Sequence, residues 1–421
     1  MERRSFLRTT AAFSAFTIVK PGLAFGTAAN SAVRMGVIGC GNRGTAVISS
    51  ISENTNSNIV AIADLFPDKL QAAETNYNKL NAAKGFGAIS KQNIYKGSKA
   101  YMRLLENKDI DAVLISTPCY AHVEILEAAL AAGKHAYCEK PVSTDVDGCR
   151  RVIEAGERVR GKQSLAIGFQ IRHASAYAEM VKRVQRGDIG ELITVQLYYF
   201  SSGTPFIDIK NVSDDEFRIR NHYYFRAMSG DTLLDQGIHM LDVCNWALQG
   251  HPVNAVGRAS AKGKLPVGDA FSNFQVIYEY PNEVSVSIHT TKVGPKFGDV
   301  CCRFLGSKGS AVAHYSGGVF IEGDNQWDSG VARTDAELTP AQQAAGVFNS
   351  SLHDADSNKD KAFIDSIVSG NYINEARSGA ESTLTAILGR ESATAQRLMT
   401  WDEVYFSNQR IDPKLNLAQF V

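Results

Sequence analysis

A lysine at the predicted end of a strand could hold a charged or polar ligand. Lys140 follows the apolar run 136–138 and precedes Pro141. Open α/β sheets bind ligands at the carboxyl edge of their strands, where an ammonium group could hold a substrate hydroxyl or a developing oxyanion. Alternatively, Lys140 is a surface lysine that happens to precede a proline. Its position at a strand end favours the chemical role.

An acid and a histidine form a second group that could do proton chemistry. Asp235 and His239 are four residues apart in the run 233–248, which is predicted to be helical, so both could project from one helical face. Imidazole titrates near neutral pH, so His239 could remove a hydroxyl proton, while Asp235 could orient the substrate or stabilise the charged ring. A lone histidine on an apolar helix is more often a core residue, but the companion acid favours catalysis. Asp242 is expected to be structural.

A glycine-rich turn predicts a dinucleotide site near the start of the chain. The strand 33–38 is followed by a helix-compatible run at 45–51, and the turn between them is a G-x-G-x-x-G made of Gly39, Cys40, Gly41, Asn42, Arg43 and Gly44. Missing side chains let a backbone approach a pyrophosphate, and the helix N-terminus supplies N–H groups and a partial positive charge. Arg43 could add a phosphate contact.

The acid at the end of the next strand predicts which dinucleotide is bound. Asp64 lies twenty residues beyond Gly44, at the end of the strand 58–64. A carboxylate there can accept hydrogen bonds from ribose hydroxyls, and its charge repels a 2′-phosphate, so NAD is predicted over NADP. Alternatively, Asp64 only caps the turn before Pro67.

The predicted elements that position these residues fall into two patterns. Strands at 33–38, 58–64, 112–116 and 136–138 alternate with helical stretches such as 122–132, which predicts a parallel Rossmann sheet. Thr144 and Asp147 offer an approximate capping box for a helix that begins near Val146. Beyond residue 165, strands at 191–200, 254–261, 270–280, 284–292 and 300–305, with helices at 176–186, 233–248, 360–368 and 381–398, predict an α+β domain with a large, mostly antiparallel sheet.

The composition sets limits on partners and metals. The chain has 421 residues and 44 residues of each charge sign, so no net charge recruits nucleic acid or an anionic membrane. Seven cysteines occur without a close Cys-x-x-Cys pair, so neither a metal site nor a disulfide framework is expected. Cys301 and Cys302 would point to opposite faces of one strand.

Residues 1–30 predict an export signal. Arg3 and Arg4 precede Phe6 and Leu7 and then a stretch rich in Ala, Phe, Ile and Val, an order that resembles a twin-arginine signal. No later run approaches the roughly 20 apolar residues that span a bilayer, so no stable membrane insertion is expected after signal removal. The predicted division is an export signal at 1–30, an NAD-binding domain at 31–160 and an α+β substrate and oligomerisation domain at 161–421.

Several motifs together resemble the Gfo/Idh/MocA family of glucose-fructose oxidoreductase and inositol dehydrogenase. The resemblance covers everything after the leader and rests on the glycine turn, Asp64, Thr117-Pro118, His122, Glu139-Lys140-Pro141 and Asp235 to His239 followed by Asp242. It implies bound NAD contacted also by Thr117, Pro118, His122, Glu139 and Lys140, and catalysis by Lys140, Asp235 and His239. It also implies a homo-oligomer, a dimer or tetramer, that uses a sheet face for subunit contact. Cys119 departs from the Asn that many relatives carry.

The substrate-binding residues are predicted less directly. The resemblance places Arg172 near the nicotinamide. In the polar aromatic segment 220–226, His222, Tyr223 and Tyr224 could stack on a sugar and bind its hydroxyls, or the segment could be an ordinary loop packed on the sheet.

Three functions are compatible with these residues. The first is an exported, NAD-dependent oxidoreductase that moves a hydride to or from a hydroxyl carbon of a sugar, polyol or derivative. Because free NAD is scarce outside the cytoplasm, such a protein would carry its cofactor and regenerate it. The second is a glycosidase that oxidises a ring carbon transiently, eliminates the glycosidic group and returns the hydride. A protein that binds NAD without turnover is disfavoured by Lys140, Asp235 and His239.

Overall fold

The computed structural model describes residues 31–421 except 202, 205, 294–298 and 334–349. The predicted export signal at 1–30 lies outside the described residues. Two sheets dominate the part of the chain that is described, as the sequence predicts, and each predicted strand begins and ends within three residues of its observed position. Within the described residues, none of the helices has the length and apolar character that crossing a bilayer requires.

The first sheet has six parallel strands in the order β3-β2-β1-β4-β5-β6. The strands are β1 Val33–Ile38, β2 Ser57–Asp64, β3 Ile94–Lys96, β4 Ala112–Ile115, β5 His135–Cys138 and β6 Leu165–Ile167. The helices are α1 Asn42–Asn54, α2 Pro67–Ala83, α3 Ala100–Leu105, α4 His122–Ala131 and α5 Val146–Val159. The strand order reverses between β1 and β4, and the carboxyl edge beside such a reversal is where doubly wound sheets bind ligands.

The second sheet has nine strands in the order β14-β13-β12-β11-β7-β10-β9-β8-β15. The strands are β7 Leu192–Phe200, β8 Asn254–Ser260, β9 Asn273–Tyr280, β10 Val284–Thr291, β11 Asp299–Gly306, β12 Gly309–His314, β13 Val319–Gly323, β14 Trp327–Asp328 and β15 Met399–Thr400. Only the β7–β10 pair is parallel; the other neighbours are antiparallel. The mostly antiparallel sheet is therefore as predicted.

Helices of the second half cover one face of this sheet and reach back to the first domain. They are α6 Ser175–Gln185, α7 Asp214–Arg220, α8 Arg226–Ser229, α9 Ile238–Leu248, α10 Ala355–Ser369, α11 Ala376–Ala395 and α12 Trp401–Tyr405. Two of them are longer than predicted, because the polar residues that start α10 and α11 lie outside the apolar pattern. The long helix α11 is largely buried between α5 and the β8–β9 part of the sheet.

The first sheet continues past the predicted domain boundary at residue 160. β6, Leu165–Ile167, pairs in parallel with β5 and is therefore the sixth strand of the first sheet. Helix α10 also packs on α1, where Asp360 accepts a hydrogen bond from Ser50 and Phe363 joins the core around Met35. The first domain thus extends to about residue 169, and helix α10, from the far end of the chain, packs against it.

The predicted capping box before α5 is also wrong in detail. The helix begins at Val146 as predicted, but its N-cap is Asp145, whose carboxylate accepts a hydrogen bond from the backbone N–H of Gly148. The second carboxylate oxygen of Asp145 accepts a bond from Ile411. Aspartate caps a helix as well as threonine does, so sequence alone did not decide between neighbours.

Candidate active site

A cavity of about 1300 Å³ lies at the carboxyl edge of the first sheet and is closed on its other side by the second domain. Most of the predicted site residues line it: Gly39, Gly41, Asn42, Arg43, Asp64, Thr117, Pro118, His122, Glu139, Lys140, His222, Tyr223, Asp235 and His239. Gly44, Arg172 and Tyr224 do not. The cavity therefore joins the predicted cofactor turn to the predicted catalytic residues.

Each of the three glycines of the turn is required, or tolerated, for a different structural reason. Gly39 has φ +93° and a Cβ there would lie 2.6 Å from the backbone of Ser116, while a Cβ on Gly44 would lie 2.1 Å from the carbonyl oxygen of Gly39. These two glycines allow the chain to pack on itself. A Cβ on Gly41 would meet nothing within 4 Å, and Gly41 lines the cavity at the N-terminus of α1. The turn thus leaves open space beside free helix N–H groups, which fits a pyrophosphate.

Asp64 caps the neighbouring turns and also lines the cavity, where its contact with a ribose stays a prediction. Its two carboxylate oxygens accept hydrogen bonds from the backbone N–H groups of Cys40, at 2.7 Å, and Phe66, at 2.9 Å. It therefore ties the glycine turn to the turn before Pro67. Burial raises the pKa of Asp64, and these two hydrogen bonds offset only part of that rise. The carboxylate also lines the cavity, and each oxygen can accept a further bond from a ribose hydroxyl.

Arg43 and Glu139 are paired with each other. The Nε of Arg43 lies 2.9 Å from Oε1 of Glu139, and its Nη2 donates to Gln170 at 3.1 Å. Gln170 in turn donates to the hydroxyl of Tyr315 at 2.8 Å. The predicted phosphate contact of Arg43 is therefore shared with an ion pair that links α1 to the end of β5. Gln170 and Tyr315 line the cavity but were missed by the sequence analysis.

His122 is buried, and its ring connects two segments of the cavity wall by hydrogen bonds. Its Nδ1 lies 2.8 Å from the carbonyl oxygen of Pro141, and its Nε2 lies 2.8 Å from that of Thr117. Burial lowers the pKa of His122, although the two carbonyl groups favour the charged ring. The residue thus ties the segment after β4 to the residue that follows Lys140, which makes it a positioning residue.

Lys140 and Asp235 line the cavity, and the buried Lys292 lies behind Asp235. The Nζ of Lys140 donates to the backbone carbonyl oxygen of Asp235 at 2.6 Å, while the carboxylate of Asp235 pairs with Nζ of Lys292 at 2.8 Å. Burial alone would raise the pKa of Asp235, but the charges of Lys292 and Lys140 lower it below its ordinary value. Burial lowers the pKa of Lys140, against the opposing effect of Asp235 and Glu139.

The helix that carries Asp235 and His239 starts irregularly. Residues Leu233–Gly237 form a π-helical turn before α9 begins at Ile238. Such turns occur frequently at functional sites. Here the carboxylate of Asp235 pairs with Lys292 and does not bond to the imidazole of His239. The two side chains therefore make no hydrogen bond to each other in the described residues, and the charge of Lys140 disfavours a charged His239.

His239 is a buried imidazole that is suited to accept a proton. Its Nδ1 has no hydrogen-bond partner among the residues that the structure describes. The ring stacks on Tyr199, with centroids 6.1 Å apart, and meets the edge of Tyr315 at 6.4 Å. Burial lowers the pKa of His239 well below its ordinary value, and the charges of Lys140 and Arg43 lower it further. An imidazole whose pKa favours the neutral form therefore lines the same cavity as Lys140.

Two predicted substrate residues lie elsewhere. Arg172 makes a bidentate pair with the buried Asp242, at 2.9 and 2.8 Å, and Asp242 also accepts a bond from Ser382. Tyr224 is buried and donates its hydroxyl proton to the carbonyl oxygen of Thr204. Neither side chain lines the cavity, so the structure does not bring them to the candidate site, and their contact with substrate or nicotinamide stays a prediction.

The match to known protein families decides the identification. Residues 33–169 match the family described as "Oxidoreductase family, NAD-binding Rossmann fold", and residues 177–312 match the "GFO/IDH/MocA C-terminal domain". The chain belongs to the Gfo/Idh/MocA family. Its first domain is accordingly an NAD-binding Rossmann domain, and the turn at Gly41 and the acid at Asp64 fit that cofactor.

Similar proteins include inositol dehydrogenases. Inositol 2-dehydrogenase 3 of Saccharopolyspora erythraea is 30% identical over 53% of this chain and 56% of its own length. Inositol 2-dehydrogenase of Rhizobium meliloti is 25% identical over 69% of this chain and 78% of its own length. The matched region thus spans only about half the length of the first of these Gfo/Idh/MocA relatives. A levoglucosan dehydrogenase solved with NADH and levoglucosan has the same fold, with a TM-score of 0.68 and 19% identity over 87% of this chain and 99% of that one.

A group of potential metal ligands lies outside the cavity of this Gfo/Idh/MocA chain. Asp299, Cys301 and His314 place three donor atoms within 4.8 Å of one another on β11 and β12. Nδ1 of His314 lies 3.5 Å from Oδ1 of Asp299. Burial raises the pKa of the Cys301 thiol to about 12. A protonated thiol is a poor ligand, so no ion is assigned here, and the absence of a metal stays an expectation. All seven cysteines are free.

Proposed function

We propose that the protein is an NAD-dependent oxidoreductase that transfers a hydride between the nicotinamide and a hydroxyl-bearing carbon of a sugar, polyol or derivative. The observation that carries the proposal is that the imidazole of His239 shares one cavity with Lys140 and the glycine turn. When bound, NAD supplies the hydride acceptor. The glycine turn and the N–H groups of α1 would hold its pyrophosphate, and Asp64 would hold a ribose.

His239 and Lys140 have different roles in the proposed reaction. In the oxidation direction, His239 takes the hydroxyl proton of the substrate while the hydride leaves the same carbon. Lys140 donates a hydrogen bond to the same oxygen and so stabilises the negative charge that develops on it. In the reverse direction the imidazolium returns the proton. Asp235 and Lys292 keep the ammonium of Lys140 aimed at the cavity.

The substrate class follows from the relatives and from the polar wall of the cavity. The inositol dehydrogenases and the levoglucosan dehydrogenase are named for polyol and sugar substrates. In this chain the rings of His222 and Tyr223 lie 4.1 Å apart at the cavity, which Gln170 and Tyr315 also line. Rings and amide groups of this kind suit a ligand that has an apolar ring face and several hydroxyls.

Export and oligomerisation belong to the same proposal. The paired arginines at positions 3 and 4 support export through the twin-arginine route to the periplasm, with the folded protein carrying its NAD. A dimer or tetramer is supported by the outer face of the second sheet, where Val256 and Ile277 are cross-strand neighbours and are 40% and 54% exposed. Exposed apolar pairs on a sheet favour subunit contact.

The test measures NAD binding and hydride transfer in separate experiments. NAD binding is measured by calorimetry, and NADH formation is then followed with myo-inositol, levoglucosan and a panel of aldoses. We expect Lys140→Met and His239→Asn to bind NAD normally and to lose about 10²- to 10⁴-fold in kcat. Lys262→Met and His353→Asn, which change exposed residues, are the matched controls.

Three results would count against this function. Full activity of either active-site variant removes the mechanism. Failure of the wild-type protein to bind NAD removes the cofactor. Release of aglycone from aryl glycosides without net NADH would replace the oxidoreductase with the glycosidase.

A further inference from the structure

The last described segment of the chain runs across the mouth of the cavity. Residues 409–421, which we call the strap, follow α12 and have no regular structure except a short turn at Leu417–Gln419. Strap residues such as Ile411, Pro413, Leu415 and Leu417 line the cavity. A segment without its own secondary structure needs anchors elsewhere to hold such a position.

Both ends of the strap are anchored on the first domain. At its start, Asp145 accepts a hydrogen bond from the N–H of Ile411 at 2.7 Å, and the carbonyl of Gln409 accepts one from Asp147 at 3.2 Å. At its far end, the carbonyl of Phe420 accepts a bond from Ser98 at 3.0 Å. The strap therefore spans from the start of α5 to the segment between β3 and α3.

The middle of the strap is held by helix α7 of the second domain. Arg218 donates to the carbonyl oxygen of Pro413 at 2.8 Å. Asp215 accepts bonds from the N–H of Asn416, at 3.0 Å, and from the side chain of Gln419, at 2.8 Å. The strap thus joins the two domains over the cavity.

A small apolar cluster completes the closure and is separate from the two main cores. Its buried members are Phe66, Ile219 and Met228, and Leu415, Leu417 and Phe420 of the strap pack against it. The rings of Phe66 and Phe420 meet edge to face at 5.7 Å. Because the cluster is small, the strap can open without unfolding either domain.

The position of this cluster relates the strap to one half of the cofactor. Asp64 marks where the adenosine ribose lies in an NAD-binding Rossmann domain, and Phe66 comes two residues later. Leu65, Phe66 and residues 97–101 line the same end of the cavity as the strap. The strap leaves a cavity of about 1300 Å³ beneath it, so it forms a wall and does not fill the site.

We propose that the strap is the adenine-side wall of the NAD site and retains the cofactor between turnovers. The inference rests on the proposed function and extends it, because a retained cofactor acts as a bound redox group and not as a diffusing co-substrate. Leu415 and Leu417 offer the apolar surface on which an adenine ring packs, and Phe420 and Asp215 keep the strap closed. Dissociation of NAD then requires the strap to open.

The test compares strap variants with a matched pair elsewhere in the full-length protein. Leu417→Ala combined with Phe420→Ala removes the apolar closure. In case that variant folds poorly, Asp215→Asn weakens the two hydrogen bonds to the strap and the ion pair with Arg218, and leaves the apolar closure intact. Leu398→Ala combined with Phe406→Ala is the control, because these side chains are 54% and 70% exposed and lie outside the cavity lining. Dissociation of NAD is followed by chasing labelled cofactor with excess unlabelled NAD.

We expect the dissociation rate constant to rise by about tenfold or more in the double strap variant, less in Asp215→Asn, and not in the control. Binding of ADP-ribose should weaken in parallel, whereas binding of nicotinamide mononucleotide should stay unchanged. Unchanged NAD and ADP-ribose release in a variant whose Ser98 and Ile411 amides exchange faster would overturn the proposal. Wild-type protein that binds no NAD would instead overturn the proposed function, so the two failures are distinguishable.

Discussion

Lys292 and Asp235 form a buried ion pair, with 2.8 Å between Nζ and Oδ2, directly behind the carbonyl group that holds Lys140. The lysine side chain is fully buried and follows the end of β10, whereas Asp235 lies in the π-helical turn. The pair therefore connects the second sheet to the catalytic wall. It gives Asp235 a positioning role, since its carboxylate is committed to Lys292.

Replacing Lys292 by Met should leave an uncompensated buried carboxylate. We expect the free energy of unfolding at neutral pH to fall by about 3–5 kcal/mol. In the wild type the pKa of Asp235 is depressed, so its contribution to stability is present above the unfolded-state pKa and is lost as pH falls through the folded-state pKa. Without the lysine, burial raises that pKa, so the variant should instead gain stability on mild acidification. Denaturant unfolding at several pH values measures both effects.

The control for this prediction is the neutral double variant Lys292→Met with Asp235→Asn. Removing both charges of a buried pair costs far less than removing one, so the double variant should recover most of the lost stability. Equal destabilisation of the single and double variants would show that packing, and not charge, explains the loss.

Both limbs of the pH–rate profile should lie at lower pH than the ordinary pKa values of histidine and lysine would give. His239 must be neutral to accept a proton, so activity in the oxidation direction is lost as pH falls through its pKa, which lies well below the ordinary 6.5. Lys140 must be charged, so activity is lost as pH rises through its pKa, which lies below the ordinary 10.5. The kcat/KM profile should therefore be bell-shaped, with its acid limb below pH 6.5. An acid limb above that value would contradict the role of His239.

Asp64→Asn tests the preference for NAD. The amide can keep one backbone hydrogen bond to the neighbouring turns but loses the charge that repels a 2′-phosphate. We expect the ratio of NADP to NAD dissociation constants to fall by about tenfold or more, the order expected from one like-charge repulsion at a partly buried site. Calorimetry with both nucleotides measures the ratio. An unchanged ratio would leave Asp64 with its turn-capping role alone.

The sequence predicted the first domain well because its signals are local. The glycine turn, Asp64 and Lys140 each lie at the end of an apolar strand, and parallel strands bring such ends to one edge. The same logic located His239 through its spacing from Asp235. Local spacing could not show that the helix there starts with a π-helical turn, which redirects Asp235 to Lys292.

The missed residues depend on contacts between distant parts of the chain. Lys292 follows an alternating strand and resembles any polar strand end, and Tyr315 lies in a turn between β12 and β13. The strap has no periodic pattern, so only its contacts with Asp145, Ser98 and Asp215 reveal its place. Arg172 and Tyr224 bond to interior partners, because a polar residue near a strand end or in an aromatic segment can equally satisfy the interior.

Because Arg172 pairs with the buried Asp242, a substitution of Arg172 can test whether its role is structural or substrate-binding. Arg172→Met leaves the buried carboxylate of Asp242 with only Ser382 as a hydrogen-bond donor, so we expect a loss of about 3–5 kcal/mol in the free energy of unfolding with KM unchanged. Arg172→Met with Asp242→Asn should recover part of the loss. Arg160→Met, which breaks an exposed pair with Glu157, is the control and should leave stability unchanged. A raised KM with full stability in Arg172→Met would restore the substrate role.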